Sequence, residues 1–159
     1  MQPHSVVMYN LKEGKGTYKG LIGECLFKLT RKYLVVTKFF NKNKYFEIFG
    51  EKLSIEERNF ISQNWFSIDA IEFDYTQNPR KIILFEIKTK NKYSNPKSNW
   101  EIKMTLATHN MYNQALKIGF DVKVVIVWLL DNWEYDIEIQ NFKDNHYYID
   151  KPKKYDRLI

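Results

Sequence analysis

The ten residues "DVKVVIVWLL", Asp121 to Leu130, constrain the fold more than any other stretch. They form a nearly continuous β-branched run, too short for a membrane span and without polar alternation, so they read as a strand buried on both faces. Such a strand needs cover above and below. Helices are the available cover, because "TYKGLIGECLFKLTRKY" and "THNMYNQALKIG" carry apolar residues at helical spacing.

The first of these helices is expected from Thr17 to about Lys32, with Tyr18, Leu21, Ile22, Cys25, Leu26 and Leu29 on its core face. "YLVVTKFF" then reads as a strand from Leu34 to Phe40, closed by the turn "NKNK". Ser54 and Glu57 form a capping box ahead of a short helix. In the later helix Thr108 is the expected cap, Met111, Ala115 and Ile118 the buried face, and Gly119 the left-handed residue after its end. "NWEYDIEIQNF" alternates Trp133, Tyr135, Ile137 and Ile139 with Glu134, Asp136 and Glu138, predicting an edge strand with an acidic wet side. The expected fold class is therefore α+β, approaching α/β: one domain over residues 1–159, with a central mixed sheet flanked by helices and a basic tail at about 150–159.

Composition narrows the function classes. Aromatic residues make up 16% of the chain, too many for disorder, and the start "MQPHSVVMYN" has no signal-peptide pattern. A soluble, intracellular protein without a membrane partner is expected. Cys25 is alone, which excludes an internal disulfide and a thiolate zinc site; its apolar neighbours suggest a core position. His4, His109 and His146 lack metal or triad spacing, and "GKGT" at Gly14 to Thr17 lacks the phosphate-loop spacing. A net charge of +6 favours an anionic partner, with nucleic acid the commonest.

The tripeptide Glu-Ile-Lys occurs twice, at 86–88 and 101–103, and Glu13-Gly14-Lys15 adds a third Glu-x-Lys. The pattern alone is weak. Context separates the copies, because "WFSIDAIEFDY" and "RKIILFEIKTK" flank "TQNP" as a β-hairpin. Turning at Gln77 and Asn78, it pairs Phe73 with Ile82, Ile71 with Leu84, Asp69 with Glu86 and Ser67 with Lys88 on one face. Ala70 with Phe85 and Ile68 with Ile87 fall on the other. Two opposed carboxylates lie about 5 Å apart at Cβ and repel unless a cation intervenes. Oxygen donors without His or Cys suit Mg²⁺ or Mn²⁺, and Lys88 on the same face could hold an attacking water. Glu101 has no such partner and sits at a loop end or edge strand.

Helix with Glu, hairpin with Asp, Glu-x-Lys, helix and apolar strand resembles the PD-(D/E)XK nuclease superfamily over roughly Thr17 to Leu130. More narrowly, the Lys-, Asn-, Ile- and Tyr-rich chain with "FEIKTKNKY" is similar to small nucleases of filamentous viruses of thermoacidophilic archaea. The resemblance implies a metal-dependent deoxyribonuclease acting on duplex DNA, in the host cytoplasm if viral. It implies metal ligation by Asp69, Glu86 and the carbonyl of Ile87, assistance from Lys88, and Glu24 as the helix carboxylate. Ile68 departs from the family's Pro, and Glu24 falls opposite the apolar centre expected for its helix. Gln114 and Lys117 match substrate-facing positions or ordinary surface. Two alternatives stay open: a non-catalytic DNA-binding domain, and a nucleotidyltransferase-like enzyme using Glu72 and Asp74. The oligomeric state is open, a homodimer included.

Overall fold

The computed structural model of the chain describes residues 16–91, 102–144 and 147–150. Among them run helix α1 (Gly16–Leu29), strand β1 (Leu34–Val36), helices α2 (Lys42–Phe49) and α3 (Ile55–Asn64), and the hairpin β2 (Ala70–Asp74) and β3 (Lys81–Asn91). Strand β4 (Lys103–Thr105), helix α4 (Leu106–Ile118), β5 (Asp121–Leu129), β6 (Tyr135–Asn141) and β7 (Tyr148–Asp150) complete the series. Five strands form a mixed sheet in the order β1-β2-β3-β5-β6, parallel only between β3 and β5; β4 and β7 pair in parallel apart from it. The α+β class with a central mixed sheet follows directly. Among the described residues no helix is long and apolar enough to cross a membrane.

The sheet is covered on both faces, as the apolar β5 run requires. On one face Ile71, Leu84, Val124 and Ile126 pack with Ile61, Trp65, Tyr112 and Ala115 from the α3–α4 side. On the other, Ala70, Phe85, Val125 and Val127 pack with Phe27 of α1, whose ring meets Phe85 edge-on at 5.0 Å. Burying apolar residues from both sides of one strand makes β5 the centre of the molecule.

The local signals succeed where a side chain satisfies a specific backbone group. Ser54 and Glu57 form the capping box, and Gly119 ends α4 at φ 116°. The hairpin register is as expected, with Ala70 opposite Phe85 and Asp74 opposite Lys81.

Several expectations fail for identifiable reasons. α1 turns a different face inward: Phe27 and Glu24 are buried, while Tyr18, Cys25 and Leu29 are exposed, so Cys25 is not a core residue. The reason is close packing at Gly23, where a Cβ would fall 1.9 Å from Thr89 Oγ1; only the glycine lets α1 lie this near β3. The strand expected over Leu34–Phe40 stops at Val36 because Thr37 donates from Oγ1 to the Ile68 carbonyl and from its backbone N–H to that of Asp69, starting a 3₁₀ turn. "NKNK" is a helix start: Asn41 accepts from the Lys44 amide and caps α2. Thr105 rather than Thr108 caps α4, accepting from the Thr108 amide. Trp133 lies in a turn at φ 66°, and along β6 Glu138 is half-buried while Ile139 is exposed, so the simple wet and dry sides do not hold. The tail 151–159, Glu101, His4 and His146 lie outside the described residues.

Candidate active site

The β2–β3 ladder opens one residue beyond Ala70. Ile68 leaves the sheet for the cluster around Trp65, and residues Trp65–Ser67 form a 3₁₀ turn, so the expected Ser67–Lys88 pair does not form. At the opening a carboxylate takes the backbone's place: Asp69 Oδ2 accepts from the Ile87 N–H at 2.8 Å. In an extended strand the N–H and C=O of one residue project to the same side, so the Ile87 carbonyl is aimed along this same opening.

Glu86 follows Leu84 on the face covered by α4 and is 8% exposed. Tyr112, fully buried on α4, donates to Glu86 Oε2 at 2.7 Å. Lys88 Nζ lies 3.4 Å from Glu86 Oε1. The hairpin and α4 thus bring Asp69, Glu86, Ile87 and Lys88 together. Tyr112 was not among the expected residues. The available signal was its place beside Met111 and Ala115 on the buried face, since a buried Tyr hydroxyl needs a polar partner.

Burial and the nearby Glu86 push the Asp69 carboxyl up to about 7, against the lowering effect of the Ile87 amide. Glu24 and Lys88 exert smaller, opposite influences. Burial and the negative charges of Glu86 and Asp69 likewise push the Tyr112 hydroxyl well above its ordinary value, keeping it a donor. Two acids held this close in a partly desolvated place raise the free energy of the doubly ionised state, which a cation would lower.

Glu24 comes from α1, on the opposite face, around the opened end of β2. It is 5% exposed rather than solvated; Lys38 Nζ donates to Oε1 at 3.0 Å, while buried Oε2 has no hydrogen-bond partner. Glu24 and Asp69 line one cleft of about 660 Å³ with Lys38, Phe40, Trp65 and Phe66.

Beyond the acids, β3 carries Lys88 and Lys90 on one face. Burial and the charges of Lys88 and Lys103 lower the pKa of Lys90, and burial and Lys90 lower that of Lys19 on α1. Positive charge is therefore concentrated next to the acid pair.

Other candidates have different surroundings. Glu72 receives a bidentate pair from Arg31, and Asp74 accepts from Thr76 and Gln77 in the hairpin turn. Lys81 pairs with Asp121 at 3.3 Å rather than with Asp74. Gln114 and Lys117 are exposed on α4, and His109 packs against Phe142 beside Asn113.

For a divalent ion, the fit rests on the donor set. Among the described residues no group of three or more His, Cys, Asp or Glu forms a ready metal cage. The Asp69–Glu86 pair offers two hard oxygen donors, a number that suits Mg²⁺, which keeps several waters. No family model, characterised protein or solved structure matches the chain.

Proposed function

We propose that the chain is a metal-dependent deoxyribonuclease whose active site is the opened end of the β2–β3 hairpin. The observation that carries this reading is the encounter of Asp69 and Glu86 beside Lys88, with the Asp69 carboxyl pushed up to about 7 by burial and its neighbour. Perturbed acids of this kind, set at a cleft and beside concentrated positive charge, mark sites more often than ordinary surface does. The net charge of +6 and the lysines along β3 suit a polyanionic substrate.

Asp69, Glu86 and the Ile87 carbonyl would hold Mg²⁺ or Mn²⁺, which when bound supplies Lewis acidity and lowers the pKa of water. Tyr112 fixes one oxygen of Glu86 and leaves the other toward Lys88. The Lys88 ammonium orients the attacking water and offsets charge growing on the phosphoryl oxygens. Lys90 and Lys19 attract the flanking phosphates.

The test is incubation of linear DNA with the protein in Mg²⁺, in Mn²⁺ and in excess chelator, across a salt series. Cleavage should require the ion and fall as salt rises. Full cleavage in chelator would overturn the metal mechanism. DNA retained without cutting under every condition would favour the binding-domain alternative.

A further inference from the structure

The cleft beside the acid pair contains features that phosphate chemistry does not use. Phe66, at the rim, is 93% exposed, and Phe40 and Trp65 line the wall. Packing gives no reason for a fully solvated ring at this position. Glu24, part of the cleft lining, also carries a buried acceptor, Oε2, without a partner. An unsatisfied buried acceptor is costly, and it calls for a ligand that brings N–H donors. Phosphate has no such donors at neutral pH, and the negative charge of Glu24 repels it. A nucleobase supplies both needs: a flat face to stack on aromatic rings and, in cytosine, adenine and guanine, an amino group to donate.

The remaining lining agrees. Lys42 and Asn43 open α2, whose first turn contains no acid; the Lys44 amide is taken by the Asn41 cap, and the Lys42 ammonium and the positive end of the helix favour a phosphate adjoining the base. About 660 Å³ lies within the range of sites that enclose a ligand of this size. Asp69 belongs to the cleft lining and to the acid pair, so a base seated here places its own phosphodiester at the acids.

We propose that the cleft seats one unstacked nucleobase next to the scissile phosphate, stacked on Phe66 and donating its amino group to Glu24 Oε2. This rests on the nuclease reading and refines its substrate: duplex DNA with a locally unpaired nucleotide, rather than perfect duplex. Extruding a base costs least where it is already unpaired.

The experiment measures binding in chelator, where no cutting is expected. Labelled duplexes that are fully paired, or that carry one bulged cytosine or one bulged thymine, are titrated with wild type, Phe66→Ala and Phe66→Tyr. Wild type should bind both bulged duplexes more tightly than the paired one, and the bulged cytosine tightest, since thymine lacks the exocyclic amino group and offers only its ring N–H. Phe66→Ala should weaken that complex roughly tenfold or more, as loss of a base–aromatic stack does, and leave the paired duplex unchanged. Phe66→Tyr should retain the affinity. At 93% exposure the ring can be removed without disturbing the core. Equal binding of paired and bulged DNA by wild type, or equal weakening of both by Phe66→Ala, would overturn the base pocket. The same duplexes in Mg²⁺ separate the two ideas: cutting of all three alike leaves the nuclease and removes the pocket, whereas selective binding without cutting leaves the pocket and removes the nuclease.

Discussion

Replacing Asp69 with Asn should stabilise the metal-free protein, because the native side chain is an acid kept where its charge is unwelcome. Burial and Glu86 raise its carboxyl from 3.8 to about 7. Since the folded pKa lies above the unfolded one, the folded state holds the proton to higher pH. The stability associated with that proton is complete below about pH 4, declines as pH rises, and is gone once pH exceeds about 7. At 1.36 kcal/mol per pH unit, the full difference is about 4 kcal/mol. Asparagine keeps an oxygen to accept from the Ile87 amide but adds an amide of its own, so a net gain of about 2 kcal/mol above neutral pH is the expectation. For a chain of this size that is a rise of roughly 4–8 °C in Tm. Thermal unfolding of both proteins in chelator, near pH 4 and above pH 7, measures it. Mg²⁺ should then raise the Tm of the wild type above pH 7 and leave Asp69→Asn unmoved. A variant less stable than wild type above pH 7, or a gain equally large near pH 4, would refute the reasoning.

Glu86→Ala should lower cleavage on the order of a thousandfold, and Lys88→Ala somewhat less, while Glu101→Ala retains most of it; a side-by-side assay on one DNA ranks them. Glu86→Ala should also destabilise the fold by about 1–3 kcal/mol, seen in urea unfolding, because the buried Tyr112 hydroxyl loses its 2.7 Å acceptor. Gly23→Ala should destabilise by several kcal/mol, since the added carbon would meet Thr89 Oγ1 at 1.9 Å, and Thr89→Ala in the same chain should restore much of the loss, read by the same unfolding curves.

What could be read in advance divides along a physical line. The hairpin register was legible because both strands bury apolar residues on both faces, and a slip of one residue would exchange the clusters. The same register predicts Asp69 directly across from Glu86; in the fold the ladder ends at Ala70 opposite Phe85, and Asp69 reaches the neighbourhood of Glu86 by accepting from the Ile87 amide instead. Helix α1 departs from its hydrophobic spacing: the apolar series through Tyr18, Cys25 and Leu29 predicts one inward face, whereas Phe27 and Glu24 lie on the face that is buried. Here the approach distance is set by Gly23, and the inward face follows the glycine, bringing Glu24 with it. The opening of β2 was not legible either. It depends on Thr37 capturing the carbonyls of Ile68 and Asp69 from a segment some thirty residues away, and no local pattern carries a contact of that range. Tyr112 belongs with these: its burial was legible, its partner was not.

The parallel pairing of β3 with β5 has a kinetic consequence. Strands β2 and β3 are joined by a short turn, whereas β3 and β5 are separated by α4 and the preceding segment, so their pairing closes a much longer loop. Closing that loop costs more chain entropy, and contacts of such separation form late. The hairpin, closing the shorter loop, is expected to form before β3 pairs with β5, while Asp69 takes its place only once Thr37 has captured the chain beside it. On that order the acids are buried late, and relieving their repulsion, as Asp69→Asn does, is expected to slow unfolding more than it speeds folding.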